Sequence, residues 1–401
     1  MSLGSIDQSA QKLLRVQLPS IERGYDIVLQ RGLLQSSHAL QHQLLALPRR
    51  PKQVFLISQE VVSSRYSQAL CHALEALDIP VSIYLLPQGE DAKSLSEAEV
   101  CYHAALESGL TRSGLVIALG GGIVGDLAGF IAATFARGVP FLQIPTTLLA
   151  QIDSSVGGKV AVNLSYRQRL LKNAVGVFYQ PQAVWIDPDT LATLPPRELL
   201  AGLAELTKYA FIEQSALARP LSDQSTASEP SFLDSLEHHA KSWASHLDAW
   251  ILRCCQIKLA VVERDETEQM GLDPTGRVCL NLGHTFGHAL ESVSHHGLLH
   301  GEAVALGMRL ASHLSHQLGL LSAASYQRVH RLLDALNLAK VYPAQCSVES
   351  LIAAMRHDKK NPSADEITLI LPQDPLGHVV VCRDIAIGDV RRTLSECLKG
   401  L

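Results

Sequence analysis

Asn281-Leu282-Gly283-His284-Thr285-Phe286-Gly287-His288 places two histidines four residues apart, which is one face of a helix. His300-Gly301-Glu302 follows, with His300 sixteen residues beyond His284. Glu205 sits upstream in Gly202-Leu203-Ala204-Glu205-Leu206-Thr207-Lys208, a second segment of helical pattern. A catalytic zinc site takes three nitrogen or oxygen ligands and keeps one position open for water or substrate. One glutamate and two histidines make such a set. Spacing leaves the third ligand open between His288 and His300, and seventeen histidines in the chain raise the rate of chance pairings.

A second stretch with chemical potential is Leu115 to Asp126, L-V-I-A-L-G-G-G-I-V-G-D. An apolar strand runs into Gly120-Gly121-Gly122, and a helix is expected to begin near Ile123. Glycines there let a ligand approach the backbone, and a helix N-terminus attracts phosphate. The three consecutive glycines depart from the G-x-G-x-x-G spacing. Pro145-Thr146-Thr147 follows the next expected strand, Val139 to Ile144, at the edge where parallel sheets bind ligands.

The elements that would position these residues fall into two regions. Gln53–Ser58, Val81–Leu86 and Gly114–Leu119 are strand-like, and they alternate with helical patterns at Val61–Leu77 and Ser94–Ser108, the latter opened by Ser94 with Glu97 three residues on. Alternation of this kind predicts an α/β, Rossmann-like N-terminal domain with a parallel sheet, over residues 1–189. Beyond residue 190 helical patterns dominate: Arg197–Ile212, Trp243–Glu263, His284–Ser294, Glu302–Leu318 and Ala323–Leu336. A mostly α-helical C-terminal domain over 190–401 is expected, with a short strand at Ile367–Pro372 and a surface loop at Ala216–Ser231.

Bulk properties exclude several classes. The 401 residues are 47% hydrophobic and 18% charged, with a net charge of −5, so no basic field invites nucleic acid. Eight cysteines form no C-x-x-C pair and no regular framework, as in a reduced cytosolic enzyme. No basic segment followed by an apolar run opens the chain, and no apolar stretch reaches membrane-spanning length. The expectation is a cytoplasmic protein without membrane or nucleic-acid partners.

Taken in order, G-G-G-I-V-G-D-L-A-G-F, P-T-T-L-L-A-Q-I-D-S-S-V-G-G-K, F-Y-Q-P, L-P-P-R-E-L-L-A-G-L-A-E-L-T-K, N-L-G-H-T-F-G-H-A-L-E and H-G-E resemble the 3-dehydroquinate synthase family, from about Pro87 to Lys360. The resemblance implies NAD, one divalent metal (zinc or cobalt), a sugar-phosphate substrate and a homodimer. It implies conversion of 3-deoxy-arabino-heptulosonate 7-phosphate to 3-dehydroquinate and phosphate, by transient oxidation, elimination, reduction, ring opening and aldol closure. Carried over by position, Glu205, His284 and His300 become the metal ligands, and His288 a substrate contact. Gly89, Glu90 and Lys93 of P-Q-G-E-D-A-K become nucleotide contacts. Gly121, Gly122, Gly125, Asp126, Thr146, Thr147, Lys159, Lys172, Thr190, Leu191 and Thr193 join them around the cofactor. Asp153, Lys159, Asn173, Lys208, Lys258, Glu268, Arg277, Asn281 and Lys360 are implied at the substrate, and Arg137 resembles an arginine that reaches across the dimer.

Three departures stand against that pattern. The family's V-N-H-P-x-G-K-N is replaced by the longer run Val162 to Asn173, in which Lys172-Asn173 match the K-N pair. Leu272-Asp273-Pro274-Thr275-Gly276 is inserted before Arg277, and Ser58-Gln59-Glu60 replaces a family Asp and Asn. Rival readings are a related cyclase making valiolone or deoxy-inosose rings, an alcohol dehydrogenase of the glycerol dehydrogenase type, and a non-enzymatic binding module.

Overall fold

The computed structural model describes residues 24–167, 169–218, 231–294, 297–356 and 366–399. In the first region β1 (Asp26–Leu29), α1 (Ser37–Ala46), β2 (Val54–Gln59), α2 (Glu60–Glu75), β3 (Val81–Leu86), α3 (Leu95–Glu107), β4 (Leu115–Gly120), α4 (Gly122–Thr134) and β5 (Phe141–Pro145) alternate. A hairpin of β6 (Lys159–Tyr166) and β7 (Arg169–Phe178) precedes β8 (Ala183–Ile186). Six strands form one parallel sheet in the order β1-β8-β5-β4-β2-β3. The runs of β2, β4, β5 and β8 are mostly apolar and buried because both sheet faces are covered there, whereas edge strand β3 exposes Ile83 and Leu85. Leu115, Ile117 and Leu119 of β4 pack with Leu70 and Leu74 of α2, while Val116 and Ala118 pack with Leu127 and Ile131 of α4. Ser94 caps α3, accepting from the Glu97 backbone N–H, but the Glu97 carboxylate turns to the Tyr84 hydroxyl instead of closing the reciprocal bond.

The second region holds α5 (Pro196–Ala216), α6 (Phe232–His239), α7 (Leu247–Arg264), α8 (His284–Val293), α9 (His300–Gln317), α10 (Ala323–Ala335), α11 (Val348–Arg356) and α12 (Ile387–Lys399). The late strand is β9 (Glu366–Gln373), and it pairs antiparallel with β10 (His378–Ala386), a partner that the sequence pattern did not reveal. The β6–β7 hairpin and the short β1 were likewise unforeseen. The expected Ala216–Ser231 loop falls mostly on 219–230, outside the described residues, as does Lys360. No helix among the described residues is long and apolar enough to cross a membrane.

α5 is the axis of this region. Pro at its first turn suits a helix start, and from Ala201 to Glu213 every residue is buried. Two glycines decide how closely its neighbours approach. A Cβ on Gly301 would lie 1.9 Å from the Ala201 carbonyl oxygen, and one on Gly307 would lie 2.1 Å from that of Gly283. Only residues without a side chain allow α9 to touch α5 and the start of α8 at backbone distance. That contact brings the candidate ligands together.

Candidate functional site

Glu205 projects from the middle of α5, His284 from the first residue of α8 and His300 from the first residue of α9. Ring Nε2 atoms of His284 and His300 lie 3.5 and 3.2 Å from Glu205 Oε1. One donor atom from each of the three residues lies within 4.8 Å of the others. His288 gathers with Glu291 and His300 instead, so distance, which spacing could not supply, separates the two histidines. The Nδ1 atoms are occupied: His284 Nδ1 is 3.1 Å from the Leu282 carbonyl, and His300 Nδ1 is 3.2 Å from Glu291 Oε2. Both rings therefore turn Nε2 toward Glu205.

Both Glu205 oxygens are sealed from solvent and lack a well-directed hydrogen bond; the Lys208 ammonium, 2.6 Å from Oε2, is an ion pair. A buried carboxylate in that state is under-satisfied. A divalent cation held by its oxygen and two imidazole nitrogens would satisfy it, and the donor set is the one zinc and cobalt accept. Burial opposes the charge on Glu205, but Lys208, His284 and His300 outweigh it and hold the carboxyl well below its usual range. His284 is pushed well down by burial. Burial also works against a charge on His300, yet its bonds to Glu205 and Glu291 raise it to about 10.

Behind the trio runs a row of alternating charge. Lys208 stands 3.3 Å from Asp153 Oδ2, and Lys258 pairs with Asp153 Oδ1 and donates to its backbone carbonyl at 2.5 Å. Burial disfavours both ammonium groups; the paired carboxylates overcome this at Lys208, which is raised, but not at Lys258, which is lowered. Asp153 lies in the turn Ala150–Ser154, whose Ser154 hydroxyl is 3.2 Å from where a Gly122 Cβ would be. That turn links the trio to the triple-glycine segment. Gly121 and Gly122 are half-exposed at the N-terminus of α4, hemmed by Thr147 and Ser154, and could receive an anionic group on their backbone. Gly125 has a different use, because a Cβ there would strike the Gln143 side chain at 2.6 Å.

The remaining residues expected at the nucleotide form a knot around the buried Lys93 and Asn163. Lys93 Nζ lies 2.5 Å from both Asp126 Oδ2 and Asn173 Oδ1. Asn163 donates to Glu90 Oε1 at 2.7 Å and accepts from the Asn173 backbone at 2.9 Å. The replaced loop has thus become a hairpin that still delivers Asn173 to this knot. Thr146 is buried after β5; Thr190 accepts from Gln151 Nε2 at 3.1 Å, and Thr193 shares a 2.6 Å bond with the Tyr66 hydroxyl, with Leu191 buried between them.

The sequence matches the family described as 3-dehydroquinate synthase N-terminal over residues 83–201, and 3-dehydroquinate synthase C-terminal over residues 202–361. The chain belongs to the 3-dehydroquinate synthase family. A 3-dehydroquinate synthase of Desulforamulus reducens is 43% identical over 346 residues, covering 86% of this chain and 90% of that one. One from Neisseria meningitidis serogroup C is 41% identical over 393 residues, covering 96% of this chain and all of the relative. Among solved structures, 2-epi-5-epi-valiolone synthase of Streptomyces hygroscopicus subsp. jinggangensis, with NAD+ and Zn2+ bound, superposes with a TM-score of 0.80 at 27% identity, over 97% of this chain and 100% of its own.

Lys159 and Glu268 form an exposed ion pair between the two regions. Arg277 is buried, donating through Nε to the Asp265 carbonyl and through Nη2 to those of Gly157 and Glu266, at 2.7–2.8 Å. The inserted residues fold as a turn in which Asp273 accepts from Thr275, and Arg264 and Asp265 tie that turn down beside Arg277. Asn281 is half-buried nearby, donating to the Val278 carbonyl at 3.3 Å. At the third departure, Ser58 bonds the Leu119 carbonyl and Gln59 the Pro87 carbonyl, which closes the end of β2. Arg137 does not join the cluster: it is exposed at the far end of α4, about 20 Å of helix from the glycine turn. Lys172 lies 3.3 Å from Glu291 Oε1. Glu291 and Gln151 were missed as individual residues, although Glu291 shares the helical face of His284 and His288 through its i+7 and i+3 spacing.

Proposed function

We propose that this chain is a 3-dehydroquinate synthase that converts 3-deoxy-arabino-heptulosonate 7-phosphate to 3-dehydroquinate and phosphate, using NAD and one divalent metal, zinc or cobalt. The observation that carries the reading is the convergence of Glu205, His284 and His300 beside the buried Lys208–Asp153–Lys258 row. When bound, NAD supplies reversible hydride acceptance and the cation supplies Lewis acidity at the substrate hydroxyls. The chain's own work is to bind, orient and exclude water. Gly121, Gly122, Thr146 and Thr147 would hold the cofactor pyrophosphate, with Lys93, Asp126, Glu90 and the 190–193 turn around its nucleoside end. Lys208, Lys258, Lys159, Arg277 and Asn281 would neutralise a substrate bearing a carboxylate and a phosphate, while His288 faces the open side. Asn173 and Lys360 complete the phosphate grip in this reading.

We divide the chain into a cofactor domain, 1–189, and a metal and substrate domain, 190–401. Eight unpaired cysteines support a reducing, cytoplasmic setting. The exposed position of Arg137 supports a homodimer in which it reaches the partner's site. A valiolone-type cyclase is the second reading, favoured by the 27%-identical solved structure.

The test is turnover of the heptulosonate phosphate with and without chelator, following phosphate release together with NADH absorbance. Phosphate release that stops on chelation, with no accumulating NADH, is expected. Stoichiometric NADH formation would instead mean a dehydrogenase. Turnover restricted to a heptulose phosphate lacking the carboxylate would mean the second reading.

A further inference from the structure

His300 is the one member of the trio gripped by two carboxylates. Its Nε2 faces Glu205 and its Nδ1 lies 3.2 Å from Glu291 Oε2. His284 has only a backbone carbonyl on its Nδ1. Glu291 is buried on α8, two turns after His284, and its other oxygen lies 3.3 Å from Lys172 Nζ on the β6–β7 hairpin. His300 begins α9, where no preceding helical turn restrains the ring. Its side chain is 36% exposed, against 12% for His284, so packing alone holds it less firmly. A hydrogen bond to the nitrogen that does not face Glu205 fixes ring rotation and leaves Nε2 as the donor atom.

We infer that Glu291 is a positioning residue: it orients His300 for the metal and, held by Lys172, ties the hairpin of the first region to the ligand set of the second. The inference rests on the metal reading above and adds a residue that acts through the His300 ring. Glu291 acts through its acceptor oxygen, so an uncharged acceptor of the same length preserves most of its effect. Loss of the acceptor frees the ring.

Three variants and two readouts test this. Cobalt affinity, read by chelator competition and the cobalt visible spectrum, should fall about 10–100-fold in Glu291→Ala and in Glu291→Asp, whose carboxylate is one methylene short, and stay within about threefold in Glu291→Gln. The aspartate variant serves if the alanine variant does not fold. A crystal structure of metal-free Glu291→Ala, or of Glu291→Asp, should show the His300 ring turned so that Nε2 no longer faces Glu205. An unmoved ring overturns the inference, as does an affinity within about twofold of the unaltered protein, or a Glu291→Gln loss equal to that of Glu291→Ala. The metal-free ring position decides the matter by itself. Failure of the unaltered protein to bind cobalt would count against the proposed function and is seen separately.

Discussion

Replacing Glu205 with Gln tests the buried charge row without changing side-chain volume. In the folded chain Glu205 and Asp153 are shared between Lys208 and Lys258, two anions for two cations. Glu205→Gln leaves both ammonium groups on Asp153. Lys208, 1% exposed, cannot turn to water. Breaking such a pair on one side costs about 3–5 kcal/mol, because a buried charge is left uncompensated. Glu205→Gln/Lys208→Met removes both members and should cost far less, about 1 kcal/mol or near neutral, since an apolar chain of similar length fills the space. Even if Lys208→Met alone costs nothing, the expected coupling is therefore at least about 2 kcal/mol. Urea denaturation in chelator, followed by tryptophan fluorescence, measures all four corners of the cycle. Cobalt binding should be lost in both Glu205 variants, which separates ligand from stabiliser. Equal stability of Glu205→Gln and the unaltered protein, or additive single effects, would refute the view that these four groups form one compensated unit.

Gly301→Ala should destabilise by about 1–3 kcal/mol through overpacking against the Ala201 carbonyl and weaken cobalt binding as His300 shifts, while Gly388→Ala, with open space around it, leaves both unchanged; thermal melts and cobalt titration check this. His330 takes a hydrogen bond from Arg309 on Nδ1 and gives one to Ser312 from Nε2, and burial with the Arg309 charge lowers it from 6.5 to about 4. Its folded value is depressed, so the unfolded chain binds the extra proton: stability is full above pH 6.5 and falls as pH drops through the interval to about 4, and His330→Asn should flatten the melting-versus-pH curve there by about 1–2 kcal/mol after solvent screening. Lys159→Met should shift the melt by less than about 1 kcal/mol, because the Lys159–Glu268 pair is exposed, yet reduce kcat; equal losses in both would assign Lys159 to structure.

Much of the fold was legible. Short runs dominated by apolar residues marked β2, β4 and β5, the last two ending in glycine and proline, since parallel strands covered on both faces need little polar side. The helical period located α2, α3 and α5 to within a few residues, and Ser94 fixed the start of α3. What escaped detection had weak local pattern. β1 is four residues long, and β10 carries polar residues on an exposed face. The β6–β7 hairpin hides in a stretch where the familiar loop motif is broken, with its turn at Arg167 in left-handed backbone. The site was legible as residue types in order. Its long-range pairings were not, because Lys172–Glu291 and Lys93–Asn173 join positions 119 and 80 residues apart.

The sequence by itself determined which side chains can bind a cation, an anion or a dinucleotide, and which family the motifs resemble, because chemistry resides in residue type and local spacing. Residue spacing left His288 and His300 open and the resemblance chose His300, but only the tertiary structure shows why His300, and not His288, shares an oxygen of Glu205. That pairing depends on α9 touching α5 at backbone distance through Gly301, a contact between residues 201 and 301 that no local period encodes.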